Sequence, residues 1–209
     1  MIEKILEHLE NKAKEFGAKN FGEFSNDYIL RKNIKSEAFK NNGAYFGFIH
    51  PEEETTCPYH DFSFVVFPSN PALNNSNNAW VVSLGIGSLG FKNDYELATF
   101  PGVRRLFNSI IDNNDSFCKT DFSDIETSLP KEFLNNKKII SIRKTLETYK
   151  KVLPVCQIIE APEIDENDEL VINKSLEYLE GFLAAYAKLR NWATNNAHRK
   201  AISESISKK

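Results

Sequence analysis

Val81-Val-Ser-Leu-Gly-Ile-Gly-Ser-Leu-Gly-Phe91 is an apolar run that passes directly into the spacing G-x-G-x-x-G, and two folds compete for it. In a Rossmann unit the first glycine ends a parallel strand and a helix opens inside the motif, so that its amides face a pyrophosphate. An acidic residue follows about 20 positions on. The first condition is met here. The second is not, because Gly90 is followed by Phe-Lys-Asn-Asp, a fresh turn and capping signal, and Pro101 interrupts the next helical stretch. Glycine in or after a strand otherwise serves a bulge, a left-handed turn, or the close approach of another backbone or a flat ligand. The stretch is therefore read as a strand, Ala79 to Leu84, running into a glycine loop. Neither a dinucleotide nor any other cofactor is expected.

Upstream, Ala44 to Ile49 (A-Y-F-G-F-I) and Asp61 to Phe67 (D-F-S-F-V-V-F) cluster aromatic and β-branched residues between turn signals, which predicts two further strands. Three strands in succession leave no room for a βαβ opening. Ile2, Ile5, Leu6, Leu9 and Phe16 recur at helical spacing with Gly17 behind them, so an amphipathic helix opens the chain. Downstream, G-V-R-R-L-F-N-S-I-I (102–111) reads as a helix and K-K-I-I-S-I-R-K-T-L-E-T-Y-K-K (137–151) as a strongly basic amphipathic one. Leu153 to Ile159 reads as a last strand, Leu170 to Arg190 as a long helix, and a short helix starts near Asn196. Strands in a run with helices flanking them predict an α+β fold with a mixed or mainly antiparallel sheet. The expected organisation is a single domain over 1–195, with a C-terminal helix and basic tail over 196–209.

At 209 residues the chain is long enough for one well-buried core. Sixteen phenylalanines against a single methionine predict a core of rigid rings. The formal charge of −3 argues against a protein that coats nucleic acid without selectivity, since that affinity comes from neutralised phosphates. It leaves room for a local basic patch. The three cysteines are odd in number and far apart, and the N-terminus carries no signal-peptide pattern, so free thiols and a cytoplasmic address are expected. No apolar run approaches the ~18 residues that a membrane span needs.

His50, Cys57 and His60 bring metal-ligand types into one segment, but the set is one ligand short of a closed zinc site. No metal is assigned, and these three are the weak candidates. Asp61, Lys92 and Glu96 can be assembled into a nuclease-like cluster only by free choice among many acids. The chain contains neither G-x-S-x-G nor G-x-x-x-x-G-K-[ST], so no catalytic residue is named. Two basic stretches are clearer. Lys137, Lys138, Arg143, Lys144, Lys150 and Lys151 form one, Lys188, Arg190, Arg199, Lys200, Lys208 and Lys209 the other, and the acidic run Glu160 to Glu169 is set apart from both.

The block Y-F-G-F-I-H-P-E-E-E-T-T-C-P-Y-H-D-F-S-F-V-V-F, then W-V-V-S-L-G-I-G-S-L-G-F and D-Y-E-L-A-T-F-P-G-V-R-R-L-F, resembles the N-terminal segment of some McrB-type AAA+ GTPases of restriction systems, over about Phe39 to His198. The resemblance implies a module that reads DNA, often with a methylated or otherwise modified base. It also implies a downstream AAA+ motor domain and a partner nuclease, whose motor motifs this chain lacks. On that reading the chain binds without chemistry of its own. Arg104, Arg105, Arg143 and Lys144 anchor phosphates, and Tyr45, Trp80 or Tyr95 receives a base beside Ser88 and Lys92 of the glycine loop. The rival readings are a small intracellular enzyme, either a metal-dependent hydrolase at His50, Cys57 and His60 or a nucleotide binder at Gly85 to Gly90, and a protein–protein docking domain.

Overall fold

Aromatic and branched side chains at every second position build the sheet. The computed structural model describes residues 1–21, 25–41, 43–52, 61–70, 78–87, 100–112, 114–119 and 129–207. A short ladder of β1 (Asn20–Phe21) with β2 (Ser25–Asn26) precedes β3 (Ile29–Asn33), β4 (Tyr45–Ile49), β5 (Phe62–Phe67), β6 (Ala79–Ile86), β7 (Ser116–Cys118) and β8 (Val155–Glu160). The last six form one sheet in the order β3-β4-β5-β6-β8-β7. Every pairing in it is antiparallel. The α+β class and the antiparallel sheet are thus as the sequence predicts.

Successive side chains point to opposite faces of a strand, and here each face carries its own core. Phe46, Phe48, Phe62, Phe64, Trp80, Val82 and Leu84 point to the first. Phe67, Val81, Cys156 and Ile158 point to the second. The first face is covered by α1 (Ile2–Glu15), α3 (Pro101–Ser109), α6 (Lys174–Leu189) and α7 (Asn196–Ser207), while the short α2 (Ser36–Lys40) packs in a small satellite cluster. Helix α6 is the centre of that layer, and every residue from Tyr178 to Ala187 is buried. A helix apolar on all sides needs neighbours on all sides. The sheet, α1 and α7 supply them. Glu180 is the exception in sequence, and it is answered by α1: His8 Nε2 lies 2.9 Å and Lys12 Nζ 3.7 Å from its carboxylate. Ile202 of α7 joins the first core at 5% exposure, so the final helix is part of the packing.

Helix α1 ends as its sequence predicts. Gly17 takes φ +101°, and a Cβ there would lie 2.5 Å from the Trp192 carbonyl oxygen. Only glycine fits that left-handed position.

The second face is covered by α4 (Lys131–Leu134), a 3-10 turn (Lys137–Ile139) and α5 (Arg143–Tyr149). This corrects the single basic helix expected over 137–151. Asn136 caps the 3-10 turn by accepting from the Lys138 amide, and the Ile142 amide bonds to the Ile139 carbonyl three residues back. The β-branched Ile139, Ile140 and Ile142 disfavour a regular helix there, and burial of Ile139 and Ile142 fixes the tighter turn. Lys119, 4% exposed, donates its amine to the carbonyls of Lys150 and Lys151, which places a cation at the end of α5. Among the described residues no helix is long and apolar enough to cross a membrane.

Candidate nucleic-acid interface

The decisive question for the glycine stretch is what lies beside β6. It pairs antiparallel with β5 from Phe62↔Ile86 to Phe67↔Val81 and with β8 from Ala79↔Glu160 to Leu84↔Val155. Among the described residues no parallel crossover sets a helix N-terminus over a pyrophosphate. Gly85 lies within the strand, opposite Ser63, and a Cβ there would come within 2.7 Å of the Ser63 hydroxyl. The Gly87 amide extends the ladder by donating to the Asp61 carbonyl at 3.0 Å. Gly85 thus serves close strand packing.

Trp80 corrects the expectation of a stacking ring. It is 1% exposed, and it meets Phe46 edge-on with centroids 5.8 Å apart. Buried in the first core, Trp80 has no open face to receive a base in this fold. Tyr45, half-buried, packs on the second core. Ser88, Lys92, Tyr95 and Glu96, together with Cys57 and His60, lie outside the described residues.

Helix α3 is built as a cationic ledge. Pro101 begins it, with φ fixed for a first helical residue and no amide to satisfy. Leu106 and Phe107, with Ile110 just beyond the helix, point into the first core, and Phe107 meets Phe62 edge-on at 6.3 Å. That inward face turns Arg105 fully outward and leaves Arg104 half-exposed. Arg104 lies close to Cys118 of β7. Burial raises that thiol's pKa to about 11, with the guanidinium pulling the other way. At the head of the helix Phe100 is 50% exposed, and among the described residues no side chain caps the first turn and nothing lies within 4 Å of the point where a Gly102 Cβ would stand. Among the described residues, an exposed ring at the N-cap, an exposed and a half-exposed guanidinium and an uncapped helix start thus fall within six consecutive residues. Phe100 escaped the sequence reading because its exposure depends on Pro101 turning the chain into α3.

Arg143 and Lys144 lie on α5, across the sheet from α3. Arg143 is half-buried, 3.8 Å from Glu147, and Lys144 is exposed. The structure does not bring these two to the α3 ledge. The His50 Nδ1 accepts the Glu52 amide at 3.1 Å. Asp61 is bound to Arg190 and also accepts the Phe62 amide at 2.6 Å, which ties its carboxylate into the fold. Among the described residues no group of three His, Cys, Asp or Glu side chains is placed to hold a metal ion.

Comparison with protein-family models, with curated proteins and with solved structures finds no match to this chain.

Proposed function

We propose that this chain is a DNA-recognition module of a McrB-like restriction or defence system, acting by binding and leaving catalysis to other domains or partners. The observation that carries the reading is the α3 ledge, whose short helix bears Arg104 and Arg105 and begins at the exposed ring of Phe100. Guanidinium groups match phosphate oxygens in a bidentate fork. An exposed ring offers a face to an unstacked base. The ledge is local, so it is compatible with a net charge of −3.

The test separates the two roles. Replacing Arg104 and Arg105 together by alanine weakens binding to all oligonucleotides alike and flattens the log–log salt dependence, by roughly 0.9 per lost duplex phosphate contact. Phe100→Ala costs ~1–3 kcal/mol of affinity for single strands or unpaired bases and leaves that slope intact. Circular dichroism establishes that both variants are folded. If folded variants bind as the wild type does, the ledge is not the interface.

A further inference from the structure

The α3 ledge leaves the two most strongly charged stretches of the chain unused, and they are complementary to each other. The acidic one is a tight hairpin. Ile164 pairs with Leu170, the Val171 amide donates to the Glu163 carbonyl at 3.0 Å, and the Asp165 carboxylate accepts the amides of Asn167 and Glu169 at 2.9 and 2.8 Å. Asp168 is engaged by Lys4 of α1, which anchors the hairpin to the first layer. Glu166 and Glu169 are exposed and have no ion-pair partner among the described residues, and Ile172 beside them is 82% exposed. The hairpin is already ordered, so little side-chain or loop freedom is lost when it docks.

The basic stretch lies in the other layer. Ile139, Ile142, Thr145 and Leu146 point inward, which leaves Lys137, Ile140 and Lys144 exposed along the 3-10 turn and the start of α5. Their neighbours have internal ion-pair partners, Lys138 in Asp115 at 2.7 Å and Arg143, more loosely, in Glu147 at 3.8 Å. Lys137 and Lys144 have no ion-pair partner among the described residues, and Ile140 between them is 55% exposed. Each stretch therefore combines two unanswered charges with one exposed isoleucine. The charges are opposite, and the sheet separates the stretches within one chain.

We propose that a second copy of this chain docks head to tail, with Glu166, Glu169 and Ile172 of one copy seated on Lys137, Ile140 and Lys144 of the next. Charge complementarity within a single sequence favours a second copy over an unrelated partner, and a net charge of −3 opposes the approach of identical chains only weakly. The isoleucines supply the apolar centre and the charges the rim that sets register. Because the two surfaces differ, the contact is heterologous and propagates to a ring or an open chain. It does not depend on DNA binding.

Sedimentation velocity on nucleic-acid-free protein at up to ~100 µM tests it, since small contacts assemble only at such concentrations. At ~20 mM salt, where the screening length is about 20 Å, mass rises with concentration, and at ~0.5 M salt it falls back. Lys137→Glu with Lys144→Glu yields a monomer, as does Glu166→Lys with Glu169→Lys. All four positions are exposed, so the fold is kept. Mixing the two reversed proteins restores association, because each then presents the charge that the other lost. A wild type that stays monomeric at low salt overturns the proposal. So does association that survives either reversal, or a mixture that is not rescued.

Discussion

Replacing Trp80 by alanine separates a core residue from a binding residue. Its side chain is 1% exposed on the central strand β6, in contact with Phe46. A tryptophan buries ~200 Å², which at ~25 cal/mol per Å² corresponds to about 5 kcal/mol of transfer free energy. A compact unfolded state lowers that figure by roughly 10–40%, and the cavity left behind raises it again, so a loss of ~3–5 kcal/mol is expected. Against a total stability of ~5–15 kcal/mol this is large but survivable. With m near ~2–3 kcal/mol/M the urea midpoint falls by about 1.5 M. The assay is urea unfolding followed by circular dichroism and by the fluorescence of Trp192, which is itself 3% exposed. Oligonucleotide affinity, expressed per folded molecule at low denaturant, stays at the wild-type value. An unchanged midpoint together with lost DNA affinity would refute the argument, since it would place the Trp80 ring at the surface.

Gly17→Ala is expected to destabilise by ~2 kcal/mol or more, because φ is +101° and the new Cβ lies 2.5 Å from the Trp192 carbonyl oxygen; a thermal midpoint equal to the wild type contradicts the left-handed cap. Burial raises the Cys156 thiol from 9.0 to about 12, while Ser83 and Lys119 oppose the shift. The folded state thus holds this proton more tightly than the unfolded chain, and the resulting penalty on folding is absent below pH 9 and grows as the pH rises towards 12. Urea midpoints measured from pH 8 to 11 should fall less steeply for Cys156→Ala than for the wild type. Peptide mapping after alkylation at pH 8 should find Cys118 slow, since a thiol raised to about 11 is scarcely ionised there; rapid labelling contradicts the burial of β7 against β8.

The elements legible in the sequence are those whose own side chains bury. Strands β4, β5 and β6 show in the rings and branched residues that fill both cores, and α1 and α6 in their apolar spacing. The missed elements carry little apolar signal. Strand β3, I-L-R-K-N, is an edge strand held by backbone pairing to β4, and β7 is three residues long. Neither pattern separates from a loop without its partner. Lys137 to Lys151 has helical periodicity throughout, and its β-branched isoleucines weaken a regular helix only slightly, so the 3-10 geometry is settled by the tertiary burial of Ile139 and Ile142. For the site, Arg104 and Arg105 were legible as a basic pair on a helix. Trp80 and Phe100 exchange the roles expected of aromatic residues: the larger ring is core, and the smaller one, ahead of a proline, is exposed.

The most direct test of the DNA-recognition reading is fluorescence anisotropy of the wild-type protein on labelled plain duplex, methylated duplex and single-stranded oligonucleotides. The salt is set to ~50 mM, where phosphate contacts are strong, and then raised. A DNA reader binds at least one of the three saturably, with an affinity that falls linearly in log–log salt and a duplex slope shallower by about two in the Arg104→Ala, Arg105→Ala protein. Absence of binding to all three at ~50 mM salt contradicts that reading.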